Sequence, residues 1–149
     1  FAITNIDDKR GAVMLQNTKA TTYTYAVKTP ADFKAKVLEN DIEGLLLLID
    51  EQEVFLRMHG LFNAYNVLAV YAAATLLGAD KMEVLEALSK VQGAPGRFQT
   101  VRSPKEQMLG IVDYAHTPDA LLNVLTTVMQ FKENKQVITV VGYQLMTII

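Results

Sequence analysis

The sequence contains no cysteine, which excludes a disulfide framework, a thiolate metal site and a cysteine nucleophile, and fits a reducing cytoplasm. Histidine is nearly as scarce, with two in the chain and no acids clustered around them, so a structural zinc site is not expected. Positive charge is not in excess. A net charge of -2 and a pI near 5.7 provide no basic field to draw in nucleic acid or an anionic membrane surface. The apolar runs fall short of the roughly 20 residues needed to cross a bilayer, and no basic segment precedes the first of them. Neither G-x-x-x-x-G-K-[ST] nor G-x-G-x-x-G occurs, so no loop in this chain can cradle a triphosphate by that route.

What is present is an α/β pattern over 149 residues, half of them hydrophobic. The chain opens at Phe1 without an initiator Met, as a start inside a larger protein would. Residues 11–28 are rich in Thr, Tyr and Val and predict antiparallel strands with a hairpin around Asn17. A short helical pattern follows over Pro30 to Leu38, and residues 44–58 read as two apolar strands about a polar turn at Asp50 to Glu53. Leu61, Tyr65, Leu68, Ala69, Ala72 and Leu76 stand at helical spacing in an alanine-rich segment that Gly78 terminates. A second helix is expected from about Lys81 to Val91, with Met82, Leu85 and Leu88 on one face.

The turn Gly93-Ala94-Pro95-Gly96 marks an expected domain boundary, dividing 1–95 from 96–149. Beyond it the pattern gives a strand near Phe98 to Arg102, a turn at Ser103-Pro104, a strand Leu109 to Asp113, a helix Pro118 to Phe131 and a strand Gln136 to Val141. That β-α-β order predicts a right-handed crossover opening a parallel sheet. The apolar tail Tyr143 to Ile149 would leave apolar surface uncovered unless more protein follows.

The most informative segment is Asp113-Tyr114-Ala115-His116-Thr117-Pro118-Asp119. Thr117 suits the N-cap of the following helix and Pro118 its first position, which sets an acid and a histidine at a strand end beside a positive helix terminus. Ligands of open α/β sheets bind at such places. An aspartate there can accept ribose hydroxyls and free N–H groups can receive anions, although the same residues can simply cap a turn. Asn63 and Asn66 lie three apart at a helix start, where an amide can match the adenine edge or, as Asn63 in particular, cap the helix. Arg97, just past the Pro-Gly turn, stands where it could reach a phosphate from a hinge. Asn5-Ile6-Asp7-Asp8 reads as a strand-ending turn more readily than as a cation site.

Taken together and in this order, NIDD at 5–8, GLFNAYNVLAVYAA at 60–73, PGRFQTV at 95–101 and DYAHTPDALLNVL at 113–125 resemble the Mur ligase family. The similarity, over about residues 2–142, is greatest to its UDP-N-acetylmuramoyl-dipeptide ligases that add diaminopimelate or lysine as the third residue of the peptidoglycan stem peptide. It implies the end of a central ATPase domain of mixed strands and helices followed by the start of a Rossmann-like C-terminal domain. It further implies that ATP phosphorylates a substrate carboxylate, that magnesium supports the transfer, and that an incoming amine displaces phosphate. The enzyme would be cytoplasmic and monomeric, with no nucleic acid or membrane partner. Folylpolyglutamate- and cyanophycin-type ligases, or a non-catalytic domain of the same fold, are the alternatives.

By the same resemblance Asn63 and Asn66 flank adenine, Arg97 approaches the phosphates or ribose, Asp113 holds the ribose, His116 lies beside the nucleotide and Tyr114 shapes that wall. The family's phosphate-binding loop, magnesium ligands and modified lysine would precede residue 1, and the motif selecting the amino acid would follow the last residue. This part alone is then expected to be inactive. Two departures stand out: Gln99 replaces a commoner acid, and the run 143–149 replaces a glycine-rich charged loop.

Overall fold

The computed structural model describes residues 1–103, 108–132 and 135–142. Its larger sheet runs in the order β1 (Ala2–Asn5), β2 (Thr22–Ala26), β3 (Phe33–Asn40), β4 (Leu45–Ile49) and β5 (Gln52–Leu56). Strands β1, β2 and β3 are mutually parallel, and β3, β4 and β5 are antiparallel. The expected antiparallel pairing over 11–28 is therefore corrected. Gly11–Met14 forms a short helix, α1, and Asn17, at φ 67°, turns the chain toward a parallel β2 instead of closing a hairpin.

The helix expected over Pro30 to Leu38 is also corrected, because β3 occupies those positions. Phe33, Ala35 and Val37 alternate with Lys34 and Lys36, a period of two that seats Ala35 fully in the core and leaves both lysines exposed. The hairpin between β4 and β5 forms as expected. Asp50 and Glu51 both take positive φ, 47° and 64°, the conformation that matches a two-residue turn to strand twist.

The Asn5-Ile6-Asp7-Asp8 segment is the strand-ending turn. Asp7 accepts the backbone N–H groups of Val27 and Lys28, both the N–H and the hydroxyl of Thr29, and the Tyr65 hydroxyl. Burial raises the pKa of this carboxyl, but those donors outweigh it and hold Asp7 well below the usual carboxylate range.

Two helices cover the sheet. Helix α2 (Leu61–Leu76) buries Ala64, Val67, Leu68, Tyr71 and Ala72, a stripe offset from the one its sequence suggests because apolar side chains surround most of this helix. Helix α3 (Lys81–Lys90) starts on the Asp80 side chain, which accepts the Met82 and Glu83 N–H groups, and buries Leu85 and Leu88 while Met82 stays exposed. These faces and the inner residues of β3, β4 and β5 make one core, in which Leu45, Leu47, Ile49, Leu56, Leu68 and Tyr71 are fully buried.

Past Gly96 the chain forms β6 (Gln99–Ser103), antiparallel to β7 (Met108–Val112), then α4 (Pro118–Phe131). The expected helix bounds and the Thr117 cap hold, the Thr117 hydroxyl accepting the Ala120 N–H at 3.3 Å. The expected parallel β-α-β unit does not form among the described residues. Residues 136–141 have no ladder partner there, and Ile138, Val140 and Val141 lie on the surface. An apolar run becomes a strand only where a sheet edge receives it, and the described β6–β7 pair is joined to no further strand. The expected turn at Ser103-Pro104 and the tail 143–149 fall, apart from Ser103, outside the described residues.

Candidate functional site

At the N-terminus of α2 the chain leaves β5 through Arg57, Met58 and His59 and enters the helix at Gly60, whose φ of 86° suits glycine. A Cβ there would lie 2.5 Å from the Phe62 ring and 3.1 Å from the Thr127 hydroxyl on α4. Gly60 is thus needed both for its backbone angle and for the close approach of α4. It is also the N-cap, without a side-chain cap, so Asn63 does not cap the helix. Instead the Asn63 amide donates to the His59 carbonyl at 2.9 Å, and Asn66 donates to the Asn63 side-chain oxygen at 3.2 Å. The two amides form a linked pair over the first turn.

The second wall comes from the segment after Gly96, itself at φ 70°. Arg97 follows it, exposed, with its guanidinium carbon 5.4 Å from the Tyr114 ring centroid. Phe98 is next, 2 % exposed and at φ 48°, and its backbone N–H donates to Asp113 Oδ2 at 2.7 Å. Asp113 lies just past β7, and the Tyr114 N–H reaches back to the Gly96 carbonyl at 2.8 Å. Arg97 and Asp113 are thereby fixed to the same turn, by a bond from the Phe98 backbone to the Asp113 side chain and a backbone bond from Tyr114 to Gly96.

Between these walls lies a cleft of about 540 Å³. Asn63 and Asn66 line it from α2, Arg97 and Asp113 from the turn, Met58 and Phe62 add apolar surface, and Asn123 faces it from α4. Four of the six residues singled out in the sequence therefore share one cavity. The other two do not line it. Tyr114 lies under Arg97, and the His116 ring packs on Tyr114 at 5.2 Å between centroids, with Nδ1 3.1 Å from the Tyr114 carbonyl. The strand leading to Asp113 is antiparallel to its neighbour, which corrects its expected place at the end of a parallel strand.

Sequence reasoning missed the apolar wall and Asn123. Their signal is the helical spacing of 62, 63 and 66 on α2 and of 120, 123 and 124 on α4, which turns each group toward one side. In chemical terms the cleft combines amide donors and acceptors, an aromatic and a thioether surface, one carboxylate and one guanidinium. That set suits a flat heteroaromatic base with a hydroxylated, anionic extension.

A family model described as the Mur ligase middle domain matches residues 1–74, and one described as the Mur ligase, glutamate ligase domain matches residues 96–145. A UDP-N-acetylmuramoyl-L-alanyl-D-glutamate–2,6-diaminopimelate ligase of Parabacteroides distasonis is 54% identical over 143 residues, covering 95% of this chain and 29% of its own length. A ligase of the same name from Clostridioides difficile is 44% identical over 94% of this chain and 30% of its own. A solved structure bearing that name is 33% identical with a TM-score of 0.66, covering 89% of this chain and 29% of that one. The chain thus spans about three tenths of the length of the relatives it matches.

Proposed function

Because the chain belongs to the Mur ligase family, we propose that it carries the nucleoside-binding part of an ATP-dependent ligase adding 2,6-diaminopimelate to UDP-N-acetylmuramoyl-L-alanyl-D-glutamate. The observation that carries this reading is the meeting of Asn63, Asn66, Arg97 and Asp113 around one cleft. Each residue has a matching task. The Asn63–Asn66 amide pair presents donor and acceptor atoms to the adenine edge, while Met58 and Phe62 offer apolar surface to its faces. Asp113 accepts the ribose hydroxyls, and Arg97 meets phosphate oxygens where the nucleoside ends. Tyr114 holds the Arg97 guanidinium in place, and His116 supports Tyr114 from outside the cleft.

When bound, ATP would supply its γ-phosphoryl group to the substrate carboxylate with release of ADP, and the diaminopimelate amine would then displace inorganic phosphate, losing a proton as the peptide bond forms. This chain's residues bind and orient the nucleotide for that exchange. The described residues hold no group of three or more His, Cys, Asp or Glu suited to a metal, and Asp7 is already committed to the 27–29 loop, so no magnesium site is assigned here.

The names of relatives above half identity favour diaminopimelate over lysine, and a muramyl substrate over a folate or cyanophycin one. The reading carries with it a boundary between residues 95 and 96, two soluble substrates, and a cytoplasmic, monomeric enzyme. No described helix is long and apolar enough to cross a membrane.

The deciding experiment is phosphate release from ATP by the full protein containing this chain, with the muramyl dipeptide and either diaminopimelate or lysine. Release that requires the dipeptide and diaminopimelate is expected. Release with lysine instead would overturn the amino-acid assignment, and none with either would overturn the ligase reading.

A further inference from the structure

Phe98 is the one buried aromatic of the segment after Gly96 among the described residues, and it touches both walls of the cleft. Its ring lies 5.6 Å from His59 and 6.4 Å from Phe62, both at the α2 entry, and 6.5 Å from Phe131 at the end of α4, edge-on at 87°. Its backbone sits at φ 48°, a region that bulky side chains rarely adopt and keep only where surrounding contacts hold them there. In that conformation the N–H points at Asp113 Oδ2, 2.7 Å away. The pattern is that of a side chain anchored on three rings whose backbone orients the carboxylate facing the cleft.

We propose that Phe98 is a positioning residue: by locking its ring between α2 and α4 it holds its own N–H on Asp113 and so sets the carboxylate for ribose recognition. The inference rests on the reading of the cleft as a nucleotide site. It concerns a link that packing alone does not require, since a ring can fill the same pocket with its N–H turned elsewhere. Without the ring, residue 98 relaxes to negative φ, the N–H swings away, and Asp113 is free to rotate out of the cleft. A hydrogen bond to a charged group is sensitive to such rotation because its strength falls steeply with angle.

The test uses the full ligase and compares kcat/KM for ATP with that for 2′,3′-dideoxy-ATP. The wild-type protein is expected to favour ATP by roughly ten- to hundredfold, the value of charge-assisted bonds to ribose hydroxyls. Phe98→Ala is expected to bring that ratio to within about threefold of unity through a higher KM for ATP, with kcat at saturating ATP changing far less. Phe98→Leu, which keeps an apolar side chain but loses the ring contacts, carries the same test if the alanine variant does not fold, and its ratio should fall between the two.

A wild-type ratio retained by the folded variant would overturn the inference while leaving the nucleotide reading intact. A wild-type protein that turns over both nucleotides equally, with Asp113→Ala equal to it, would instead remove the nucleotide reading and this inference with it.

Discussion

Replacing Asp7 by alanine should cost the full protein about 3 kcal/mol of stability. The carboxylate takes the Val27 and Lys28 N–H groups at 2.8 Å each, the Thr29 N–H at 3.0 Å and hydroxyl at 2.7 Å, and the Tyr65 hydroxyl at 2.9 Å. Hydrogen bonds to a charged group contribute about 1.5–3 kcal/mol each when shielded. Lys28 and Thr29 are exposed, so water takes over their bonds in the variant, and the half-buried Val27 and Tyr65 donors carry most of the loss. Two such bonds at the lower end of that range give about 3 kcal/mol. Asp7→Asn keeps an acceptor but turns an amide toward these donors, and should lose about 2 kcal/mol.

The sign with pH follows from the carboxyl's lowered pKa in the folded state. The contribution is complete above the unfolded value near 4 and is lost as pH falls toward the folded one. The difference between wild type and Asp7→Ala should therefore shrink between pH 7 and pH 3. Denaturant unfolding at the two pH values, followed by circular dichroism, measures both quantities. A difference below about 1 kcal/mol at pH 7, or one that grows on acidification, would refute the reasoning.

On the proposed function, Asp113→Asn removes the charge that faces the cleft while keeping its size, and should raise KM for ATP about tenfold with kcat nearly unchanged, in steady-state assays of the full protein. Gly60→Ala forces a methyl group to 2.5 Å from the Phe62 ring at a φ of 86°, and should cost about 2–3 kcal/mol in thermal unfolding and weaken nucleotide binding through the displaced Phe62. Leu68→Ala opens a cavity in the fully buried core beneath α2, and should cost about 2–5 kcal/mol of stability without shifting the ATP KM of the folded fraction.

What the sequence disclosed, it disclosed through short-range signals. Asp80 before α3, Thr117-Pro118 before α4, Gly78 after α2 and the turn at Asp50-Glu51 each fix a boundary within a few residues of themselves. Pairing is a long-range matter, so Thr22–Ala26 reads as a strand but not as one parallel to both neighbours. Over residues 30–38 the alternation of Phe33, Ala35 and Val37 was the better guide than the brief helical spacing, because a two-sided sheet position rewards a period of two. For 136–141 composition said apolar, yet whether an apolar run pairs depends on an edge elsewhere. The cleft followed the same division. Asn63, Asn66, Arg97 and Asp113 are recognisable as motif residues, whereas Phe98 gives no local sign that its backbone would be held left-handed by rings from positions 59, 62 and 131.

The two walls of the cleft differ in how they are supported, and this bears on how it works. Asn63 and Asn66 ride on α2, whose inner face is locked into the core shared with β3, β4, β5 and α3. Arg97 and Asp113 belong to a segment in which Phe98 and Thr127 are the buried side chains among the described residues, while Val101, Val112, Leu122 and Met129 lie exposed. Packing resists displacement in proportion to the buried contacts that must be broken, so the α2 wall is the more firmly held and the wall after Gly96 the less firmly held. Both of those buried anchors meet the α2 entry, Phe98 against His59 and Phe62, Thr127 against the space above Gly60.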